Sequence, residues 1–249
     1  MTPEAGILDR REQEALFSRL TDPGYLPTVA ECARGLEAGL FLRFVEKMGY
    51  YELYTQEYLA GLASYLQPWI DAAARRSGKQ ATVLEVGAGN GRLAHFLEAL
   101  VRGRVIATDN GDYEEIRPCF PVVKMGYAEA ISYFDPQIII CSWMPYQKDW
   151  TGAFRTPETQ LYVLIGDPLR CGDGLGTYGV DGITGRVEVS YGGEMPKRDG
   201  FKMRLLPFGQ YQYCTFDGEG RNNNFRYSRT LAFEREGCDK LGILRRIYG

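Results

Sequence analysis

The sequence predicts an α/β fold: a doubly wound, mostly parallel sheet with helices on both faces, preceded by a helical N-terminal cap and followed by a β-rich C-terminal part. Three observations carry this. Residues 81–86 (Ala-Thr-Val-Leu-Glu-Val) form a short apolar run rich in β-branched side chains, whereas residues 92–101 repeat their apolar positions at helical spacing. Gly87, Gly89 and Gly91 lie between them, so the glycines occupy a strand-to-helix turn. Further apolar runs follow at 104–109, 121–125, 137–141 and 160–165; the run Gln-Ile-Ile-Ile-Cys at 137–141 does not alternate, as a strand buried on both faces requires.

The elements before the glycine turn read as helices. A first is expected from Glu4 to Leu20, stopping before Asp22-Pro23-Gly24. Thr28-Val29-Ala30-Glu31 matches a capping box and opens a helix expected to run to Lys47, with Gly49 beyond it as cap. A further pair is expected over Gln56 to Leu66 and Pro68 to Arg76, the second with proline in its first turn and Gly78 at its end. Between these helices lies Tyr50-Tyr51-Glu52-Leu53-Tyr54. Tyrosines combine apolar area with a hydroxyl, which suits either a lid over a polar ligand or helix packing.

With 249 residues and 45% hydrophobic content, the chain can bury a full core and stands near the size at which one domain begins to split. The expected division is a helical cap over 1–79 and a main domain over 80–249. Lys+Arg 29 against Asp+Glu 32 leaves the chain close to neutral, with no electrostatic case for nucleic acid. Arg245-Arg246 reads as a solvated pair. No apolar run reaches the length of a membrane span, and Met1-Thr2-Pro3-Glu4 lacks a basic segment followed by a hydrophobic one, so a cytoplasmic protein without membrane contact is expected. The six cysteines contain no C-x-x-C pair, which signals neither a metal site nor a disulfide framework. His95 is the one histidine, which argues against a Ser-His-Asp triad or a histidine base, and it is expected on a helix surface.

The glycine spacing then discriminates between nucleotide ligands. A dinucleotide turn reads G-x-G-x-x-G, its third glycine allowing close helix packing. Here the order is Gly87-x-Gly89-x-Gly91, and Arg92 stands where that third glycine would be. Glu85, two residues before the turn, suits a ligand bearing a positive amine better than one bearing two phosphates. At this point the sequence resembles the class I S-adenosylmethionine-dependent methyltransferases, whose first motif is an apolar strand, an acid and a G-x-G-x-G turn. The resemblance implies a Rossmann-like, seven-stranded sheet and assigns cofactor contacts to Glu85, Gly87, Ala88 and Gly89. Arg104-Val105-Ile106-Ala107-Thr108-Asp109 is the second motif, in which two carboxylate oxygens can accept from two ribose hydroxyls. Asp109 and Asn110 are its cofactor candidates; a helix cap for 111–117 is the plainer reading of Asp109.

Third, Gly126-Tyr127-Ala128 follows the strand at 121–125, with Tyr127 where similar enzymes place an acid for the adenine amino group. Glu129, a backbone carbonyl or the Tyr127 hydroxyl is the substitute. Fourth, Ser142-Trp143-Met144-Pro145-Tyr146 follows the buried strand, a position that faces the transferable methyl group; only Pro145-Tyr146 matches the pattern of nitrogen methyltransferases. Ser142 is a cofactor candidate. Trp143, with Tyr51 and Tyr54, is a substrate candidate, able to hold a cation on its ring face or to serve as core. Tyr146 and Asp167, the latter at the end of the fifth strand, are the catalytic candidates, with Glu194 as another proton acceptor. Strands are expected at 186–191, 201–206, 210–216 and 225–234, the last two as the sixth and seventh of the sheet, which makes 168–207 a substrate-side insertion.

The resemblance therefore implies methyl transfer from S-adenosylmethionine to nitrogen or oxygen of a small metabolite by a monomer or homodimer. The alternatives weighed against it are a protein or peptide methyltransferase, a NAD-dependent oxidoreductase and a non-catalytic cofactor-binding partner subunit.

Overall fold

Local capping decides where the chain first becomes helical. A computed structural model describes residues 8–48, 51–114, 116–168, 170–173, 177, 197–198, 200–214 and 228–238. It opens with α1 (Arg10–Leu20), α2 (Val29–Glu37) and α3 (Leu40–Met48). Asp9 and Thr28 accept from the backbone N–H groups of Glu12 and Glu31, whose carboxylates accept from the cap N–H in return, so both α1 and α2 begin on a capping box. The single helix expected over 28–47 is two. Gly39 takes φ +69°, a left-handed conformation that glycine adopts without steric cost, and the turn lets Leu40, Phe41 and Phe44 pack on Leu16, Phe17 and Leu20.

Next come β1 (Glu52–Leu53) and α4 (Gln56–Ser77). The Thr55 hydroxyl accepts from the Tyr58 N–H at 3.2 Å to start α4, and Gly78, at φ +69°, ends it. The two helices expected here are one, running through Pro68. An interior proline costs about 3 kcal/mol or more in an isolated helix. Here Tyr58, Leu62 and Leu66 before it and Trp69, Ile70 and Ala73 after it bury against the same sheet face, which holds the two halves in line.

The remaining elements are β2 (Thr82–Val86), α5 (Arg92–Glu98), β3 (Arg104–Asp109), β4 (Val123–Lys124), α6 (Tyr127–Phe134), β5 (Ile138–Ser142), α7 (Thr151–Phe154), β6 (Leu161–Gly166), β7 (Lys197–Arg198), β8 (Phe201–Leu205), β9 (Tyr213–Cys214) and β10 (Arg229–Arg235). The sheet order is β4-β3-β2-β5-β6-β10-β8-β7. β4, β3, β2, β5 and β6 are parallel, while β10 is antiparallel to β6 and to β8. Seven of these strands form the expected doubly wound sheet, and the two-residue β7 adds an eighth at the edge.

Alternation along the strands sorts side chains between two layers. Val83, Ile138, Ile140, Leu161 and Val163 meet α4 and α5 on one face; Leu84, Val86, Ile139, Cys141 and Leu164 meet α6 and α7 on the other. On that second face Phe233 stacks on Tyr162 with centroids 4.4 Å apart, fastening β10 to β6.

Of the sixth strand expected over 210–216, the described residues 210–214 are not in this sheet. Its place is taken by β8, while β9 pairs antiparallel with β1, Glu52 opposite Cys214 and Leu53 opposite Tyr213. Tyr213 enters the cluster of α1 to α3, so burial of its ring and of Leu53 draws the segment away from the sheet. The strand expected at 186–191 lies outside the described residues, as do Glu194 and Arg245-Arg246. No helix among the described residues is long and apolar enough to cross a membrane.

One consequence of the continuous α4 is testable by urea unfolding. Pro68→Ala should stabilise the protein by about 1 to 3 kcal/mol, because it restores a helix N–H where the chain is already helical. Two separate helices, with proline in the favoured first turn of the second, would give no gain or a small loss.

Candidate active site

The strand order reverses between β2 and β5, and a crevice therefore opens beyond their carboxyl ends. A cavity of about 1020 Å³ occupies it, lined by the loops after β2, β3 and β5 and by the segment around β1. That volume stands at the upper end of the roughly 300–1,000 Å³ typical of small-molecule sites, enough for a nucleoside with a second molecule beside it.

The glycine turn forms one wall. Gly87 and Gly91 have φ of +65° and +77°, and a Cβ at Gly91 would lie 2.7 Å from Val122 Cγ2, so neither position tolerates a side chain without strain. A Cβ at Gly87 would stand 3.0 Å from the Trp150 ring, which in turn stacks on Tyr127 with centroids 4.5 Å apart. The Ala88 N–H donates to the Thr108 carbonyl, pinning the turn to β3. Arg92, buried at the start of α5, donates through Nε to the Pro23 carbonyl at 3.2 Å and through Nη2 to the Tyr25 carbonyl, tying the chain between α1 and α2 to this wall.

Asp109 ends β3. One of its oxygens accepts from the Gly89 N–H at 2.9 Å and the other from the Gly111 N–H at 2.7 Å, so it braces two successive loops. A carboxylate offers about four acceptor positions, which leaves two for hydroxyl groups of a ligand in the cavity it lines. Residues 111–114 and 116–117 are not helical, so the cap reading of Asp109 has no helix to serve. Asn110 is exposed and also lines the cavity, its side-chain amide donating to Asp112 at 2.6 Å.

Two buried carboxylates face the same space. Glu85 accepts from the Ala94 N–H in the first turn of α5 at 2.9 Å. Burial pushes its carboxyl up to about 8, against the pull of the Ala94 N–H and with a further push from the negative Asp109. Glu52, in β1, accepts from Trp143 Nε1 at 2.8 Å and from Gln212 Nε2 at 3.3 Å. Burial raises it to about 7, opposed by hydrogen bonds from Trp143, Ser228 and Gln212. Between the two acids stands Tyr54, its hydroxyl 2.8 Å from Ser142 Oγ and its pKa raised by burial and then by Glu85 and Glu52.

Trp143 sits at φ +56°, a left-handed conformation that costs a non-glycine residue about 1 to 2 kcal/mol. Its N–H donates to the Ile165 carbonyl at 2.7 Å and its indole to Glu52, which hold it there. Tyr51, partly exposed, stacks on it at 5.2 Å. The structure thus brings Glu85, Gly87, Ala88, Gly89, Asp109, Asn110, Tyr127, Ser142, Trp143, Tyr51, Tyr54 and the exposed Tyr146 to one cavity.

Other expected residues are placed elsewhere. Gly126 caps α6 and does not line the cavity, and Ala128 and Glu129 are exposed on α6, so of that motif Tyr127 alone reaches the site. Asp167 is buried with its carboxylate 3.5 Å from Arg170 Nε, and it is Arg170 that lines the cavity. His95 is exposed on α5, stacked on Phe120 at 3.9 Å. Glu52, Arg92 and Trp150 are site residues that sequence reasoning did not select. An acid inside an aromatic run was the available signal for Glu52. Gln212 and Ser228, its neutral supports, carry no local signal.

The raised carboxyls fix a pH dependence. Both hold protons in the folded chain that the unfolded chain releases near pH 4.5, so their stabilisation is complete below that value and is lost as pH rises through about 7 and 8. The melting temperature should fall by several degrees between pH 6 and pH 8.5, at about 2 to 4 °C per kcal/mol for a chain of this size. Glu85→Gln should remove most of the slope above pH 7, and an equal slope in that variant would contradict the assignment.

No protein-family model and no curated protein matches the chain. Among solved structures it is similar to a ribosomal protein L11 methylase from Lactobacillus delbrueckii subsp. bulgaricus, at 16% identity, 69% of this chain, 78% of that chain and a TM-score of 0.31. It is also similar to the plantazolicin methyltransferase BpumL in complex with SAH, at 10% identity, 90% of this chain, 98% of that chain and a TM-score of 0.32.

Proposed function

We propose that this chain is an S-adenosylmethionine-dependent methyltransferase that methylates a nitrogen or oxygen of a small-molecule metabolite. The observation that carries the reading is the donor and acceptor set at the switch point: a G-x-G-x-G turn that excludes side chains, Asp109 at the end of β3 and the buried Glu85 behind the turn, all on one cavity. Asp109 suits a pair of ribose hydroxyls. Glu85, buried with a backbone N–H as its partner, suits the ammonium group of an amino-acid moiety, which would supply the charge its environment lacks. The stacked Tyr127 and Trp150 beside Gly87 offer aromatic surface to an adenine ring.

When bound, this cofactor supplies a methyl group already activated by its sulfonium. The protein then needs to align the acceptor and exclude water more than it needs a strong acid or base; orientation alone is worth roughly 7 to 11 kcal/mol. Ser142 and Tyr54 stand at the carboxyl end of β5 between the two acids, and Trp143 with Tyr51 forms the aromatic wall on the acceptor side. Tyr51, Glu52 and Tyr54 of the segment before β2 line the site, and Arg92 ties that segment to the glycine turn, which supports a bounded pocket and a small acceptor.

The test is transfer of label from methyl-labelled S-adenosylmethionine to the small-molecule and macromolecular fractions of a dialysed cell extract, supplied separately. Label in the small-molecule fraction alone is expected; label in protein would contradict the proposed acceptor class. In direct titrations Asp109→Asn should weaken cofactor binding by about tenfold or more and Asp109→Ala further, the scale of hydrogen bonds to a charged group. Unchanged affinity in both variants would remove Asp109 from the site.

A further inference from the structure

Glu52 is a buried acid for which the cofactor has no evident use. Its hydrogen-bond partners among the described residues are neutral: the Trp143 indole, the Gln212 amide and the Ser228 hydroxyl. It is 4% exposed, yet it lines the cavity. A carboxylate taken out of water without a cation is costly, and proteins retain such an arrangement where a cation arrives from outside. Its position is also tightly built. The β1–β9 pairing fixes its backbone, Gln212 is held by Ser228 at 3.0 Å, and Trp143 keeps a left-handed backbone while donating its indole N–H to Glu52.

The cavity thus holds two buried carboxylates, Glu85 behind the glycine turn and Glu52 under the Tyr51–Trp143 stack, with Tyr54 and Ser142 between them. Resting on the function proposed above, in which Glu85 faces the cofactor's ammonium, we infer that the acceptor is a protonated amine, bound with its ammonium on Glu52 and its apolar part along the Tyr51–Trp143 wall. Glu52 takes one proton from the ammonium: an N–H bond breaks, its electron pair stays on nitrogen and an O–H bond forms on the carboxylate. That pair then forms the new N–C bond while the electrons of the methyl–sulfur bond return to sulfur, and Glu52 releases its proton to solvent. Among the described residues, Tyr54 and Tyr58 feel the Glu52 charge and stay neutral across the physiological range, Tyr54 feeling Glu85 as well, and Arg92, Asp109, Asp112, Lys148 and Arg170 are the further charged groups on the same cavity. Burial holds the Glu52 carboxyl at about 7, where it can accept and release a proton near neutrality.

Calorimetry on the full chain tests this without turnover. At pH 7.5, S-adenosylhomocysteine is titrated first, and benzylamine and benzyl alcohol are then titrated into the saturated protein. Benzylamine should bind about tenfold or more tighter than benzyl alcohol, the scale of a charge-assisted hydrogen bond. Glu52→Gln should bring the two probes to parity while S-adenosylhomocysteine affinity stays within about threefold, since the two sites use different residues. The wild-type comparison stands alone if that variant does not fold. Equal affinity of the two probes, binding of neither, or a preference that survives Glu52→Gln overturns the inference while leaving the cofactor reading intact. Failure of S-adenosylhomocysteine to bind the wild-type chain overturns the cofactor reading itself, and the inference with it.

Discussion

Two carboxylates are buried at one cavity with only neutral hydrogen-bond donors beside them among the described residues, and the organisation of the site follows from that constraint. Desolvation raises both Glu85 and Glu52 out of the ordinary carboxylate range. Neutral donors limit the cost: the Ala94 N–H for Glu85, and the Trp143 indole, Gln212 amide and Ser228 hydroxyl for Glu52. Each of these two acids offers a partner to a ligand group that carries positive charge.

The fold supplies these groups from distant parts of the chain. β2 and β3 place Glu85 and Asp109 at their carboxyl ends because their flanking residues bury on both faces of the sheet. Glu52 arrives from the other side, on a two-residue strand whose partner β9 lies about 160 positions later, the separation also spanned by the Gln212–Glu52 hydrogen bond. The N-terminal segment is therefore joined to the rest of the fold at two points, the β1–β9 pair and the Arg92 contacts to Pro23 and Tyr25, and it contributes Tyr51, Glu52 and Tyr54 to the lining of the cavity.

Much of the sheet and of the glycine-turn wall of the cavity was legible in the sequence, because the signals there are local. β-branched runs marked β2, β3, β5 and β6 to within a residue or two, the capping box at Thr28 set the start of α2, and the glycine spacing with Glu85 and Asp109 marked the wall of the cavity. What was not legible depends on partners far along the chain. Pro68 reads locally as a helix start and is held mid-helix by the sheet face beneath α4. Residues 213–214 read as a strand of the main sheet and are drawn to β1 by burial of Tyr213 and Leu53. Asp167 reads as a group facing the acceptor, yet its ion pair with Arg170 leaves the arginine, not the acid, on the cavity.

The claim that Glu85 is poised for a cationic nucleoside is tested most directly by calorimetric titration of S-adenosylmethionine at pH 7 in two buffers of different ionisation enthalpy. Glu85 holds a proton at that pH in the protein alone and must lose it to pair with the ligand's ammonium, so the account predicts binding with net release of a substantial fraction of a proton, abolished in Glu85→Gln. Binding heats that do not depend on the buffer, or no binding at all, would contradict it.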